Sequence, residues 1–160
     1  MVWLTLLMVS RYEYQKGLNA LANEQYNAAW HGFITAENRL PQALSRLLAP
    51  RDLFRIHLAL GEALYALALA SGERHIALEQ LERALDYLKR AVAVAPLSYR
   101  AQLWLARVTA ALEAFFPLVH GEGETPYDAM PYFQEAAGLR PSGVTVHYEM
   151  HRDATTLPGK

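Results

Sequence analysis

The chain has 160 residues, 52% of them hydrophobic, so it is long enough to bury the core of one domain and too apolar to be a disordered tail. Fifteen Lys and Arg residues face sixteen Asp and Glu residues, and this balance excludes a nucleic-acid or polyphosphate binder that works by bulk charge. The absence of cysteine excludes disulfide frameworks, thiolate zinc sites and cysteine nucleophiles. Many of the apolar residues are Ala, which favours helices over strands.

The first nine residues are apolar and carry no charged side chain. They are fewer than the about 20 residues that span a bilayer, and they lack the basic start and the cleavage site of a signal peptide. This segment is the beginning of a core helix, the end of a membrane segment, or an apolar surface that a partner covers. In the last two cases, we expect Trp3, Leu4 and Leu7 to contact a membrane or another copy of the chain.

Periodicity, caps and turn residues predict helices over about residues 3–22, 24–40, 53–71, 75–95, 98–116 and 126–139. Asp52 is expected to cap the third helix, Pro117 to end the fifth, and Thr125 to cap the sixth ahead of Pro126 at its first turn. After Pro141 the apolar residues alternate as in a strand. Because a helical solenoid has no sheet to join, we expect a short capping helix or a coil there.

The same residue types recur in three copies along this helical part of the chain. Each copy ends in Ala followed five residues later by Pro, at Ala36, Ala91 and Ala136. The second and third copies align without gaps at a period of 45 residues, and each carries an 11-residue insertion relative to the first. With Gly17, Ala29 and Phe33 in the first copy, this pattern resembles the tetratricopeptide repeat, whose unit is about 34 residues long.

The resemblance covers residues 10–141 and implies an all-α, tetratricopeptide-like helical repeat solenoid of three helix pairs, two of them elongated. The repeats would occupy about residues 10–41, 54–96 and 99–141. Residues 1–9 would continue into the first helix, and residues 142–160 would form a tail. One departure is the fourth residue of each copy, where the family usually has a large aromatic residue and this chain has Glu13, His57 and Gln102.

In the family, the first helix of each repeat lines a concave binding face. The second residue of each copy is Arg in all three cases, and other candidate residues fall on the same face: the set is Arg11, Tyr14, Arg55, Tyr65, Arg100 and Arg107. Guanidinium groups beside aromatic rings suit an acidic or carboxylate-bearing peptide. The set does not match the Lys/Asn carboxylate clamp of chaperone-binding members, and the alternative is a row of solvated Arg side chains.

No catalytic, cofactor or metal site is predicted. His147 and His151 have a spacing that can hold a metal on a helix, but the Glu is misplaced for the zinc-protease pattern and no third ligand is evident. The acidic residues after Gly121 lack calcium-loop spacing. The sequence therefore favours a protein that is not an enzyme.

Charge is distributed unevenly along the chain. Residues 1–60 contain six basic and four acidic residues, whereas residues 111–160 contain three basic and seven acidic ones. We therefore expect a protein-interaction scaffold that self-associates head to tail or docks an acidic peptide. The alternatives are an enzyme and a membrane-tethered, extracytoplasmic module of an envelope or polysaccharide-assembly system.

The membrane-tethered alternative depends on a second resemblance. Residues 1–41 and 60–63 resemble the soluble tail that follows the last membrane helix of some bacterial O-antigen polymerase or ligase proteins. This resemblance implies a membrane-associated or extracytoplasmic location rather than a cytoplasmic one. It names no partner beyond the membrane itself.

Overall fold

The structure is a computed structural model that describes residues 2–40, 49–121, 123 and 125–140. Within these ranges it contains six α-helices and no strand. The helices are α1 (Val2–Ala22), α2 (Tyr26–Asn38), α3 (Pro50–Ala70), α4 (Arg74–Val94), α5 (Tyr99–His120) and α6 (Met130–Leu139). The sequence-based expectation for the tail falls outside the described residues.

Consecutive helices pack as three antiparallel pairs, α1 with α2, α3 with α4, and α5 with α6. In the first pair, Ser10 donates a 2.8 Å hydrogen bond from Oγ to the backbone oxygen of Ala36, and Gly17 lies against Phe33. Each pair also packs on the next one, since α2 contacts α3 and α4 contacts α5. The fold is therefore the all-α helical repeat of three pairs that the sequence predicts.

The repeated residues occupy matching core sites in the three pairs. The Ala residues that precede each Pro by five positions are fully buried, and so are the large residues three positions before them: Phe33, Leu88 and Phe133. Small residues are required opposite them, because a Cβ atom on Gly61 would lie 2.5 Å from Leu88 Cγ. This close approach of the two helices is what the repeat pattern encodes.

The extra residues of the second and third copies lengthen the helices unequally. In the second copy, α3 and α4 both reach 21 residues. In the third copy, α5 reaches 22 residues but α6 has only 10. The second pair is thus elongated as predicted. The third pair is no longer than the first, in which α1 and α2 have 21 and 13 residues, so the predicted elongation of the third pair is not seen in its helices.

Three predicted helix ends are wrong. The helix α5 continues past Pro117 to His120, and the carbonyl of Pro117 accepts a 2.9 Å hydrogen bond from the Gly121 N–H. The helix α3 begins at Pro50, which places Asp52 in the first turn rather than at the cap.

The helix α6 begins at Met130 and not at Pro126. Pro131 provides the fixed φ angle in the first turn. Glu113 Oε2 accepts a 3.2 Å hydrogen bond from the Ala129 N–H just before it. Thr125 accepts a hydrogen bond from the Tyr127 N–H in a turn, so it does not cap the helix.

Two of the described helices, α3 and α5, are long and apolar enough to cross a membrane by length and composition. More than half of the apolar stretch of α3 and a third of that of α5 are buried inside the fold. The central helices of a helical repeat must be apolar on most sides because neighbouring pairs cover them. Burial in the core accounts for the apolar composition of α3 more fully than for that of α5.

Candidate functional site

The first helices of the three pairs bring the predicted Arg residues to one face. Arg11, Tyr14 and Arg55 line a shallow depression between α1 and α3, together with Asp52. Arg11 pairs with Asp52 through Nη2–Oδ2 at 2.9 Å and Nε–Oδ1 at 3.2 Å. Asp52 thus connects the first two pairs.

A second ion pair on this face joins Arg100 and Glu62. Its Nε and Nη2 atoms donate to Glu62 Oε1 at 3.0 and 2.8 Å, and Nη2 also lies 3.0 Å from Oε2. The Glu62 side chain is 11% exposed, whereas that of Arg100 is 66% exposed. Burial raises the pKa of Glu62, and the charges of Arg100 and Arg107 oppose this rise.

Trp104 forms the aromatic centre of the site and was not predicted from the sequence. The Arg107 guanidinium lies 5.1 Å from its ring centroid, and the Tyr65 ring meets it edge-on at 5.5 Å. The repeat comparison gives no signal for Trp104, because the matching residues in the other copies are Gln15 and Ala59.

These residues border a groove of about 540 Å³ on the same face. The groove is lined by Leu21, Tyr26, Glu62, Tyr65, Ala66, Leu69, Ala70 and Trp104. Most of this lining is apolar, and Leu69 remains 55% exposed at its edge. An apolar groove next to charged side chains can hold a bulky apolar side chain and fix the polar groups beside it.

Tyr14 connects the Arg11 end of the row with the groove. Burial raises the pKa of Tyr14, and Arg55, Glu62, Arg100 and Asp52 are all close enough to act on it electrostatically. The six predicted residues thus lie on the first helices of the three pairs, α1, α3 and α5, and their partner-binding role stays a prediction. Two of the six, Arg11 and Arg100, already hold carboxylates of this chain.

The predicted assembly residues separate in the structure. Trp3 and Leu7 are partly buried and pack on the core cluster that contains Leu40, whereas Leu4 is 63% exposed. Leu4 belongs to a strip of exposed apolar residues on the first three turns of α1: Val2, Leu4, Met8, Val9 and Tyr12. The assembly role of these residues stays a prediction.

A buried polar network connects the first two pairs and was also missed. Glu37 Oε1 lies 3.1 Å from His57 Nε2, and Glu37 Oε2 accepts a 3.3 Å hydrogen bond from the Tyr87 hydroxyl. A signal existed in the polar fourth residue of each copy. His57 and Gln102, which replace the usual aromatic residue, are both buried, and the Gln102 amide donates to the Pro96 carbonyl at 3.2 Å.

Among residues 2–40, 49–121, 123 and 125–140, no group of three or more His, Asp or Glu side chains is placed to hold a metal ion. The His147 and His151 pair considered from the sequence lies outside these ranges. The site described above contains no pairing of a nucleophile with a base. Its Arg, aromatic and apolar side chains have the chemistry to contact a ligand that carries both charge and apolar surface.

Comparison with known proteins gives a distant match. No family model matches the chain, and no curated protein matches it significantly. Among solved structures, the chain is similar to the crystal structure of a thermophilic TPR protein from Thermus thermophilus, with 16% identity over 91% of this chain and 99% of that chain and a TM-score of 0.32. The similarity is too distant to carry function to this chain, and no comparison supports the O-antigen resemblance.

Proposed function

We propose that this protein is a non-catalytic protein-interaction scaffold that binds an acidic peptide segment along its first-helix face. The observation that carries the proposal is the apolar groove walled by Tyr65 and Trp104 directly beside the guanidinium groups of Arg100 and Arg107. Aromatic and Arg side chains are the residue types that dominate binding energy at protein interfaces.

The charges around the groove favour an acidic occupant. The row contributes four Arg side chains, and the two carboxylates that neutralise part of it are Asp52 and Glu62. Arg55 adds a guanidinium group that pairs with no carboxylate of the described ranges. A bulky apolar side chain buried in the groove contributes about 1.5–3 kcal/mol, and neighbouring carboxylates complement the Arg groups.

Head-to-tail stacking of copies is the other possibility that the sequence raised. A stack that continues the repeat register needs an apolar outer face on α1, but Gln15, Lys16 and Asn19 are exposed there. The matching residues of α3 are buried and apolar, which is the usual difference between a capping repeat and an internal one. The same stack would bring Arg107 towards Arg11 of the next copy, so we favour the peptide.

The exposed strip on α1 supports a second candidate function, in which this end of the protein contacts a membrane, as a tethered envelope module would. Five exposed apolar side chains lie on the first three turns of the helix, which is more than scattered surface apolar residues explain. Sedimentation with anionic and neutral vesicles tests this candidate. Loss of sedimentation in Met8→Glu supports it, and no sedimentation of the wild-type protein excludes it.

The peptide proposal is tested by selecting binders from a phage-displayed random dodecapeptide library on the immobilised wild-type protein. We expect enrichment of Asp or Glu next to Trp, Phe or Leu. Leu69→Glu should abolish binding of the selected peptides by placing a negative charge at the groove. Leu118→Glu is the matched control, because Leu118 is 54% exposed but lies at the far end of α5. Selection without acidic enrichment, or equal binding by both variants, contradicts the proposal.

A further inference from the structure

We propose that Arg55 is the residue that reads the carboxylate of the bound peptide. This inference rests on the proposed function and adds the specific contact. Its basis is a break in the pattern of ion pairs along the row. The Arg residues before and after Arg55 in the repeat series hold acids of this chain, whereas both positions that would supply an acid to Arg55 are Leu.

The first comparison runs backwards along the repeats. Arg100, the second residue of the third copy, binds Glu62, the ninth residue of the second copy. The same step back from Arg55, the second residue of the second copy, leads to Leu18 in the first. Leu18 packs on the core cluster between α1, α2 and α3 and offers no acceptor.

The second comparison runs forwards. Arg11, the second residue of the first copy, binds Asp52, which lies two residues before the start of the second copy. The same step forward from Arg55 leads to Leu97, two residues before the third copy begins at Tyr99. Leu97 is 78% exposed in the turn between α4 and α5. This position therefore offers Arg55 an apolar side chain where the matching position offers Arg11 an acid.

Arg55 is consequently left with its charge available. Its side chain is exposed and forms no ion pair or hydrogen bond with any residue of the described ranges. It borders the same depression as Tyr14, whose hydroxyl likewise makes no hydrogen bond within those ranges. Guanidinium donors and a half-buried phenol hydroxyl are both groups that donate hydrogen bonds to a carboxylate.

The neighbouring Arg residues have a different role. The donors of Arg100 that face Glu62 are already in use, and so are two of the donors of Arg11. These residues raise the local positive potential, which attracts an acidic segment without selecting one atom of it. Arg55 would thus form the specific contact with the carboxylate, whereas Arg11 and Arg100 attract acidic segments in general.

The pattern itself provides the test, because the missing intrachain acid can be restored. The probe is the acidic peptide selected on the wild-type protein, synthesised with an amidated C-terminus so that only its side chains carry carboxylates. Leu18→Glu should place an acid beside Arg55 and weaken peptide binding about tenfold or more, as Arg55→Gln should. Leu18→Gln is the matched control and should bind within about twofold of the wild type.

A second variant protects the test against misfolding, since Leu18 is partly buried. Leu97→Asp offers Arg55 an acid from the exposed turn and should also weaken binding, whereas Leu97→Asn should not. In the Arg55→Gln background, neither added acid should weaken binding further.

The amidated peptide tests which carboxylate Arg55 binds. If only the peptide with a free C-terminus binds the protein, Arg55 binds the terminal carboxylate, and the proposed contact with a side-chain carboxylate is overturned.

The result that overturns the inference is distinct from the one that overturns the function. Unchanged peptide affinity in Arg55→Gln, together with loss of binding in Leu69→Glu, leaves the groove as the site and removes Arg55 from its role. Unchanged affinity in Leu69→Glu removes the groove as well.

Discussion

Gly61 shows at the scale of one residue why small side chains recur in this sequence. An added Cβ atom would lie 2.5 Å from Cγ of Leu88, which is fully buried. Gly138, in contrast, sits on the exposed side of α6 with no atom within 4 Å of the equivalent position. The same substitution therefore has opposite effects at the two sites.

We predict that Gly61→Ala lowers the free energy of unfolding by about 1–3 kcal/mol through overpacking. Gly138→Ala should raise it by up to about 1 kcal/mol, because Ala is the better helix former. Urea unfolding followed by circular dichroism measures both changes. A neutral Gly61→Ala variant would show that α3 and α4 do not approach as closely as described.

Tyr127 makes a residue-scale prediction about pH. Desolvation by burial and the 2.9 Å hydrogen bond to Glu82 raise the pKa of Tyr127 to about 12 from 10.0. Because the folded pKa lies above the unfolded one, the stabilisation is complete below pH 10 and is lost as the pH rises towards 12. We expect a spectrophotometric titration of the wild type to contain a tyrosine step near pH 12 that Tyr127→Phe lacks. Loss of the step near pH 10 instead would contradict this.

The Arg row could be identified from the sequence, but which of its residues form ion pairs could not. The recurrence of Arg at one repeat position is visible in the sequence alone, and the structure places these residues on one face. Their partners are not repeated: Asp52 precedes a copy and Glu62 lies within one, so no single pattern contains both. Trp104 does not recur either, since the matching residues of the other copies are Gln15 and Ala59.

At the scale of the helix, α4 tests the register of the repeat. Ala91 is fully buried where α4 packs in the core, and Ala93, two residues later, is exposed. We predict that Ala91→Leu costs about 1–3 kcal/mol of stability, whereas Ala93→Leu leaves the melting temperature nearly unchanged. The reverse order would mean that the helix is rotated relative to the repeat frame.

The contact of α2 with α3 and α4 makes a second prediction at this scale. Glu37 holds His57 and Tyr87 in a buried network, so Glu37→Leu leaves both without their acceptor. We expect a loss of about 1–3 kcal/mol in the free energy of unfolding. Glu135→Leu on the exposed side of α6 is the control and should change it by less than about 0.5 kcal/mol.

The order and pairing of the helices could be predicted because small residues and Pro mark them at repeated positions. The helix ends near Pro117 and Met130 could not, because they depend on contacts made after folding. The Glu113 carboxylate lies about two turns before the end of α5 and accepts a hydrogen bond from the Ala129 N–H. The first turn of α6 contains Pro131 and not Pro126. Local signals at these two points compete, and tertiary contacts decide between them.

At the scale of the whole molecule, the charged side chains are distributed unevenly over the surfaces of the first helices. The chain as a whole is nearly neutral, yet the row on the first helices is positive and the outer face of α1 beyond Tyr12 is polar. Polar residues on this part of α1 do not favour in-register stacking of another copy, whereas residues 2–12 of the same helix expose the apolar strip described above. The proposed peptide would therefore bind along the Arg row rather than on the outer face of α1.

A double-mutant cycle between Arg55 and the acidic residue of the selected peptide tests most directly whether the two groups are in contact. Isothermal titration calorimetry gives the four affinities of wild-type and Arg55→Gln protein for the acidic peptide and its amide counterpart. We predict a coupling energy of about 1.5–3 kcal/mol, as for a hydrogen bond to a charged group. A coupling energy near zero, with both single changes weakening binding independently, would contradict a direct contact between Arg55 and the carboxylate.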